Sequence, residues 1–302
     1  MNLLVVGSIG FDTVETPHGR SEKALGGTAV YCSVAASYFT QVGMVAAVGT
    51  DFPDEHVNFL KQKGVDVSGL MTLDGKTFHW GGRYHSDMNS RDTLFTHLNV
   101  FQNFKPIVPE SCRDVPFVFL GNIDPGLQMH VLEQVRHPKL VALDTMNYWI
   151  EGTPDSLRRI LQHVDVLFVN DEEARLLTGE YSLPRAAGKI RRMGPRIIVI
   201  KKGEHGALLF HDHDIFFAPA YPLERVIDPT GAGDTFAGGF MGYLASIQHT
   251  DDAHLRRAMI YGSTLASFVV EDYSINNLRN LSKQAILDRF TAFQKMTHFT
   301  GE

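Results

Sequence analysis

The chain of 302 residues reads as an α/β protein, a three-layer doubly wound sandwich with one small β-sheet excursion. Three observations predict this. Predominantly apolar runs at 3–6, 42–48, 117–120, 139–143, 164–169 and 196–200 lack polar alternation, as strands buried on both faces do. Stretches of helical character separate many of these runs, and Gly, Asn or Asp follows nearly all of them. Finally, Asp228-Pro229-Thr230-Gly231-Ala232-Gly233-Asp234-Thr235 is a glycine turn placed to open a helix.

Composition narrows the class. A hydrophobic share of 44% and a charged share of 21% are those of an ordinary globule, and one domain over 1–302 accommodates them. The net charge of −6 argues against wholesale nucleic-acid binding. Cys32 and Cys112 fit no metal-ligand spacing, which points to a reducing cytoplasm. No apolar run reaches the ~18 residues of a membrane span, and the N-terminus enters a strand directly. The expectation is a soluble cytoplasmic protein.

In order, the 3–6 strand ends in Gly7-Ser8, and Asp12 stands just beyond, where open α/β sheets bind ligands. Read alone, Asp12 is a turn cap. Ala24-Leu25-Gly26-Gly27-Thr28-Ala29 enters a helix running to about Tyr38. The 42–48 strand leads through Gly49-Thr50-Asp51-Phe52 to a helix at 54–63 and a further edge at 64–67. Over 70–104 the character shifts. Short runs flank Asp74-Gly75, a hairpin signal, and Phe78-His79-Trp80-Gly81-Gly82-Arg83-Tyr84-His85 is polar and aromatic. These aromatics read equally as packing core or as a stacking surface.

The 117–120 strand ends at Gly121-Asn122 and the 139–143 strand at Asp144. Asn170-Asp171-Glu172-Glu173-Ala174 follows the next strand and reads locally as an Asn-capped helix with acids in its first turn. Lys189, Arg191, Arg192, Arg196, Lys201 and Lys202 read as a solvated helix face rather than a nucleic-acid surface. A hairpin over 207–217 turns at His211-Asp212-His213-Asp214, a polar turn in preference to a metal site. A strand-like run ends at Val226-Ile227, and helices at 253–270 and 283–295 complete the chain.

The glycine turn carries the chemistry. Gly231 and Gly233 admit backbone angles closed to other residues, and the helix they open directs free N–H groups and a positive dipole end at one spot. Such a spot binds phosphate, and Asp234 in the same turn adds a general base, a pairing suited to phosphoryl transfer. A P-loop is excluded because Leu70 stands where its first glycine would precede Gly75-Lys76-Thr77. A dinucleotide fingerprint fails at Phe236. Gly238 and Gly242 share one helix face, which invites close approach of another backbone.

The stretch from Asp228 to Met241 resembles the C-terminal signature of the ribokinase-like (PfkB) family of sugar and nucleoside kinases, and the likeness extends over nearly the whole chain. The resemblance implies a ribokinase-like sandwich whose small β-sheet lid, from about 10–25 and 70–104, closes over substrate. It implies ATP-dependent transfer of the γ-phosphoryl group to a hydroxyl, with Asp234 as catalytic base and Gly231, Ala232 and Gly233 as anion hole. Asn170 and Glu173 match the family's N-x-x-E, which acts on Mg²⁺ through its hydration shell, so no direct protein ligand to metal is expected. Lys201 and Gly203 match the segment along ATP. Asp12, Gly26, Gly27, Asn122 and Thr230 match substrate contacts.

The chain departs from the family twice. Tyr31 stands where Asn usually binds sugar hydroxyls, and Asp144-Thr145-Met146-Asn147-Tyr148-Trp149 lacks the D-x-N-x-R pattern with its cation. The first expectation is therefore a small-sugar kinase, with a nucleoside kinase or a non-catalytic sugar or nucleotide sensor as alternatives. The family likeness also implies a homodimer joined through the lid sheets. A monovalent-cation requirement is left open, and neither nucleic acid nor membrane is an expected partner.

Overall fold

Leu3, Leu4, Val5 and Val6 are all inaccessible to solvent, and alternate members enter two different cores. A strand buried on both faces needs a layer on each side, and that requirement sets the architecture. The computed structural model describes residues 1–212 and 214–298. The strands are β1 (Leu3–Val6), β2 (Gly10–Thr16), β3 (Gly19–Gly26), β4 (Val42–Gly49), β5 (Val65–Leu73), β6 (Phe78–Tyr84) and β7 (Arg91–His97). They continue with β8 (Phe117–Leu120), β9 (Leu140–Asp144), β10 (Val166–Asn170), β11 (Ile197–Lys201), β12 (Ala207–His211) and β13 (Asp214–Ala218).

A nine-stranded sheet runs β13-β12-β11-β10-β9-β8-β1-β4-β5. It is parallel from β11 to β5, and β12 and β13 add an antiparallel edge. The parallel strands therefore end on one side, at Gly7, Gly121, Asp144, Asn170 and Lys201. The turn of the β12–β13 hairpin contains His213, which lies outside the described residues.

Two expectations are corrected. Asp74-Gly75 does not close a hairpin: β5 pairs in parallel with β4 in the main sheet, whereas β6 pairs in parallel with β2 in a second sheet. The chain crosses between sheets there because Asp51 accepts hydrogen bonds from the Thr77 backbone (2.7 Å) and hydroxyl (2.6 Å), while Thr50 N–H bonds to the Gly75 carbonyl. Residues 70–73 thus belong to the main sheet. The strand expected to end at Val226-Ile227 is also absent: 219–228 contains no strand. Pro219 and Pro222 break the ladder, and the Ile227 and Asp228 N–H groups both go to the Val270 carbonyl.

The second sheet is four-stranded, in the order β3-β2-β6-β7. Its register sets Asp12 opposite Trp80 and Tyr84 opposite Arg91. Asp12, Trp80, Gly82, Tyr84 and Arg91 therefore share the face turned to the ends of the parallel strands.

The helix Ala232–Ile247 is wedged between two others through small residues. A Cβ on Gly238 would meet the Cys32 carbonyl at 2.4 Å and the Ala35 Cβ at 2.8 Å, and one on Gly242 would meet the Ala36 Cα at 2.7 Å, all in the helix Thr28–Ala36. Gly239 faces Gly262 of the helix Asp252–Val269 in the same way. Gly262 thus serves close packing of the two helices.

Gly238→Val is expected to wedge the helices apart and destabilise the protein by about 1–3 kcal/mol. Chemical denaturation checks this, and an unchanged midpoint would contradict the packing account.

Candidate active site

The site is assembled where the parallel strands end. The helix Ala232–Ile247 begins at Gly231, whose φ of 74° is left-handed and whose Cα faces the ring of Tyr31. A Cβ there would be strained and would strike the ring, so only glycine fits. The Ala232 N–H bonds to the Pro229 carbonyl (3.2 Å) and the Thr235 N–H to the Gly231 carbonyl (2.8 Å). The Gly233 and Asp234 amides between them have no partner among the described residues. These two are the donors available to an anion, whereas the Ala232 amide is already committed.

Lys201, at the end of β11, sits beside Gly233, with its ammonium 3.0 Å from where a Cβ would lie. It also pairs with Asp144, at the end of β9, at 3.3 Å. Burial would lower the Lys201 proton affinity, but Asp144, Glu173 and Asp234 together raise it above the ordinary lysine value. The ammonium is therefore charged.

Asn170 and Glu173 form a reciprocal cap on the helix Asp171–Thr178: Glu173 N–H donates to Asn170 Oδ1, and Asn170 N–H to Glu173 Oε2, both at 2.7 Å. The local capping reading of this motif is thus realised, and Glu173 keeps a second oxygen. Burial raises its carboxyl to about 7 against the pull of Lys201. Asp234 rises to about 7, through burial first and the Asp144 charge second, opposed by Lys201 and a hydrogen bond from Thr28.

Asp12 comes in from β2, with its carboxylate against Gly26 and the Gly27 N–H. Burial, then Asp228 and Asp234, raise it to about 8. A Cβ on Gly26 would collide with that carboxylate, and Gly27, at φ 96°, begins the helix carrying Thr28. Thr230 donates its N–H to Asp228 (2.9 Å) and its hydroxyl bonds to Tyr84 of β6 (3.3 Å).

The structure therefore joins Asp12, Gly26, Gly27, Thr230, Gly231, Gly233, Asp234, Lys201, Asn170 and Glu173 in one region. Gly203, at φ 53°, begins the turn after β11 and lies against the Asn89 side chain. Asn122 follows the end of β8, and its carboxamide oxygen accepts from the Trp149 indole at 2.9 Å.

Sequence reasoning missed Asp144 and Arg91 near the site, and it left Trp80 and Tyr84 open between packing core and stacking surface. A strand-end position marks Asp144. Arg91 carries no local signal, because only the register of β7 on β6 brings it to this face.

A carboxyl raised by burial, beside a charged lysine and two open amides, suits phosphoryl transfer on a ribokinase-like fold. The chain matches the pfkB family carbohydrate kinase over residues 2–280 and belongs to that family. A cytidine kinase of Thermococcus kodakarensis is 34% identical over 250 residues, 80% of this chain and 88% of that protein. A nucleoside kinase of Methanothermobacter thermautotrophicus is 28% identical over 287 residues, 90% of each chain. The crystal structure of a nucleoside kinase from Methanocaldococcus jannaschii, an archaeal member of the ribokinase family, matches with a TM-score of 0.76 at 20% identity. That match covers 97% of this chain and 99% of the other. Among the described residues no helix is long and apolar enough to cross a membrane, and no three metal-ligating side chains cluster.

The raised carboxyls give a sign for stability. The folded state holds the Asp234 proton more tightly than the unfolded chain does, so its ionisation costs stability progressively from the ordinary carboxylate range up to about pH 7, and the cost is constant above. Asp234→Asn is expected to stabilise the protein without substrates by roughly 1–2 kcal/mol at about pH 8, discounted for water in the cleft, and by little at about pH 4. Urea unfolding at both pH values checks this. A variant no more stable than wild type at the higher pH would contradict the burial of Asp234.

Proposed function

We propose that the protein is a nucleoside kinase that transfers the γ-phosphoryl group of ATP to the primary hydroxyl of a pyrimidine nucleoside such as cytidine. The observation that carries this reading is the register of β2 on β6, which sets Asp12 and Trp80 side by side on one face. An acid that holds hydroxyls beside a flat aromatic ring suits a ribose joined to a base. The names of the relatives favour a nucleoside over the small sugar that the sequence first suggested. Tyr31 supports the same choice, since its ring occupies the place of a sugar-binding Asn and its buried hydroxyl has no partner.

In the reaction, Asp12 orients the ribose and Asp234 accepts the proton of the attacking hydroxyl. The Gly233 and Asp234 amides and Lys201 meet the charge on the moving group. The carboxylates of this cleft would repel an unescorted polyphosphate. Mg²⁺ would neutralise phosphate charge here, held through its waters by the free oxygen of Glu173 and by the Asn170 side chain, an all-oxygen set that fits it. The small sheet acts as a lid that excludes water, without which ATP would be hydrolysed.

Coupled ADP release across sugars, sugar acids and nucleosides tests the reading. Cytidine is expected to stimulate release strongly. Trp80→Ala is expected to raise its KM about 5- to 100-fold, the worth of one stacked base, with kcat little changed. Stimulation by sugars alone would overturn the nucleoside assignment.

A further inference from the structure

We propose that Arg91 is a catalytic residue carried on the small sheet, whose guanidinium engages the phosphoryl group as it passes from the nucleotide to the acceptor hydroxyl. The inference rests on the kinase reading above and adds a cation that the main domain does not supply.

Arg91 begins β7 opposite Tyr84 of β6, so both project from the face that carries Asp12. The Trp80 indole lies across Gly82, where a Cβ would strike its ring, and the Arg91 guanidinium sits 5.7 Å from that ring's centre. This platform aims the guanidinium along the sheet towards Tyr84. Tyr84 in turn bonds to Thr230, in the turn that presents Asp234. On the other side, Asn89 packs against Gly203 and donates to Glu204 (3.4 Å), in the turn that follows Lys201. The β6–β7 hairpin is therefore tied both to the base-bearing turn and to the loop of the main-domain cation. Arg91 pairs directly with Tyr84, the first tie, and follows Asn89, the second, by two residues.

Its electrostatic reach agrees with that placement. Burial raises the carboxyls of Asp12, Glu173 and Asp234, and the Arg91 charge opposes the rise at all three. Asp12 stands on the acceptor side and Glu173 on the nucleotide side, so a charge felt by both stands over the transfer path. Arg91 nevertheless makes no ion pair within 4.0 Å among the described residues. An exposed guanidinium over a row of carboxylates, committed to none, retains its planar fork for phosphate oxygens.

In the step, the bond from the γ-phosphorus to its bridging oxygen breaks and leaves ADP. The bond to the acceptor oxygen forms, and the hydroxyl proton passes to Asp234. Charge spreads over the equatorial phosphoryl oxygens midway, where a bidentate cation helps most.

The test compares wild type, Arg91→Ala and Arg91→Lys in the full chain. Arg91→Ala is expected to lower kcat about 100- to 1,000-fold, the cost of one such donor, with the cytidine KM changed less than about threefold. Arg91→Lys should recover part of the loss, and added guanidinium should partly rescue Arg91→Ala. A second readout is independent of turnover. Mg·ADP with fluoroaluminate, a planar stand-in for the moving group, should bind Arg91→Ala at least about tenfold more weakly, while Mg·ADP alone binds as to wild type. A kcat within about threefold of wild type, a loss confined to KM, or unchanged fluoroaluminate binding would overturn the proposal. If wild type itself transfers nothing to cytidine, the acceptor assignment fails, and the fluoroaluminate comparison still decides the role of Arg91.

Discussion

The rest of the site depends on one constraint, a carboxylate held largely within the protein at a helix N-terminus. Asp234 is fixed there because the helix it opens cannot shift: Gly238 and Gly242 bring it into backbone contact with the helix Thr28–Ala36, and Gly239 meets Gly262 on the other side. Thr28, which lowers the Asp234 carboxyl, sits on the first turn of the partner helix. Asp234 and Thr28 are thus carried on two helices that pack as one unit. Desolvation raises the Asp234 carboxyl, and Lys201 limits the rise. The same burial that raises the Asp234 carboxyl towards neutrality makes its ionised form expensive to the fold, which is the usual tension between a working site and a stable one.

The surrounding charges divide by origin. The main sheet supplies Asp144, Glu173 and Lys201 from successive strand ends, so their positions follow from parallel pairing and are rigid. The small sheet supplies Asp12, Trp80, Tyr84 and Arg91, whose positions depend on how that sheet sits over the cleft. Its ties to the main domain at the site are sparse and polar, Tyr84 to Thr230 and Asn89 to Glu204. Bonds of this kind are easily exchanged for water, which suits a part that opens to admit substrate and closes for chemistry.

Much of this was legible in the sequence because strands buried on both faces announce themselves. The runs 3–6 and 117–120 coincide with β1 and β8, and the glycine turn with its base needed no long-range information. What escaped was decided by pairing between distant segments. Asp74-Gly75 has the chemistry of a hairpin turn, yet Asp51 captures Thr77 and redirects the chain to another sheet. The 219–228 segment resembles a strand, but its terminal N–H groups find the Val270 carbonyl instead. Arg91 and Tyr84 reach the site only through the β6–β7 register. The N-x-x-E motif was legible as a helix cap, and the reciprocal bonds leave one oxygen of Glu173 uncommitted.

The central claim is that burial poises Asp234 as the base. The most direct measurement is the pH dependence of kcat/KM for cytidine in wild type and Asp234→Asn. The account requires an acid limb of unit slope that levels near pH 7 in wild type. It also requires a loss of about 100- to 10,000-fold, without that limb, in the variant. A flat wild-type profile through neutrality, with Asp234→Asn retaining near-full transfer, would contradict it.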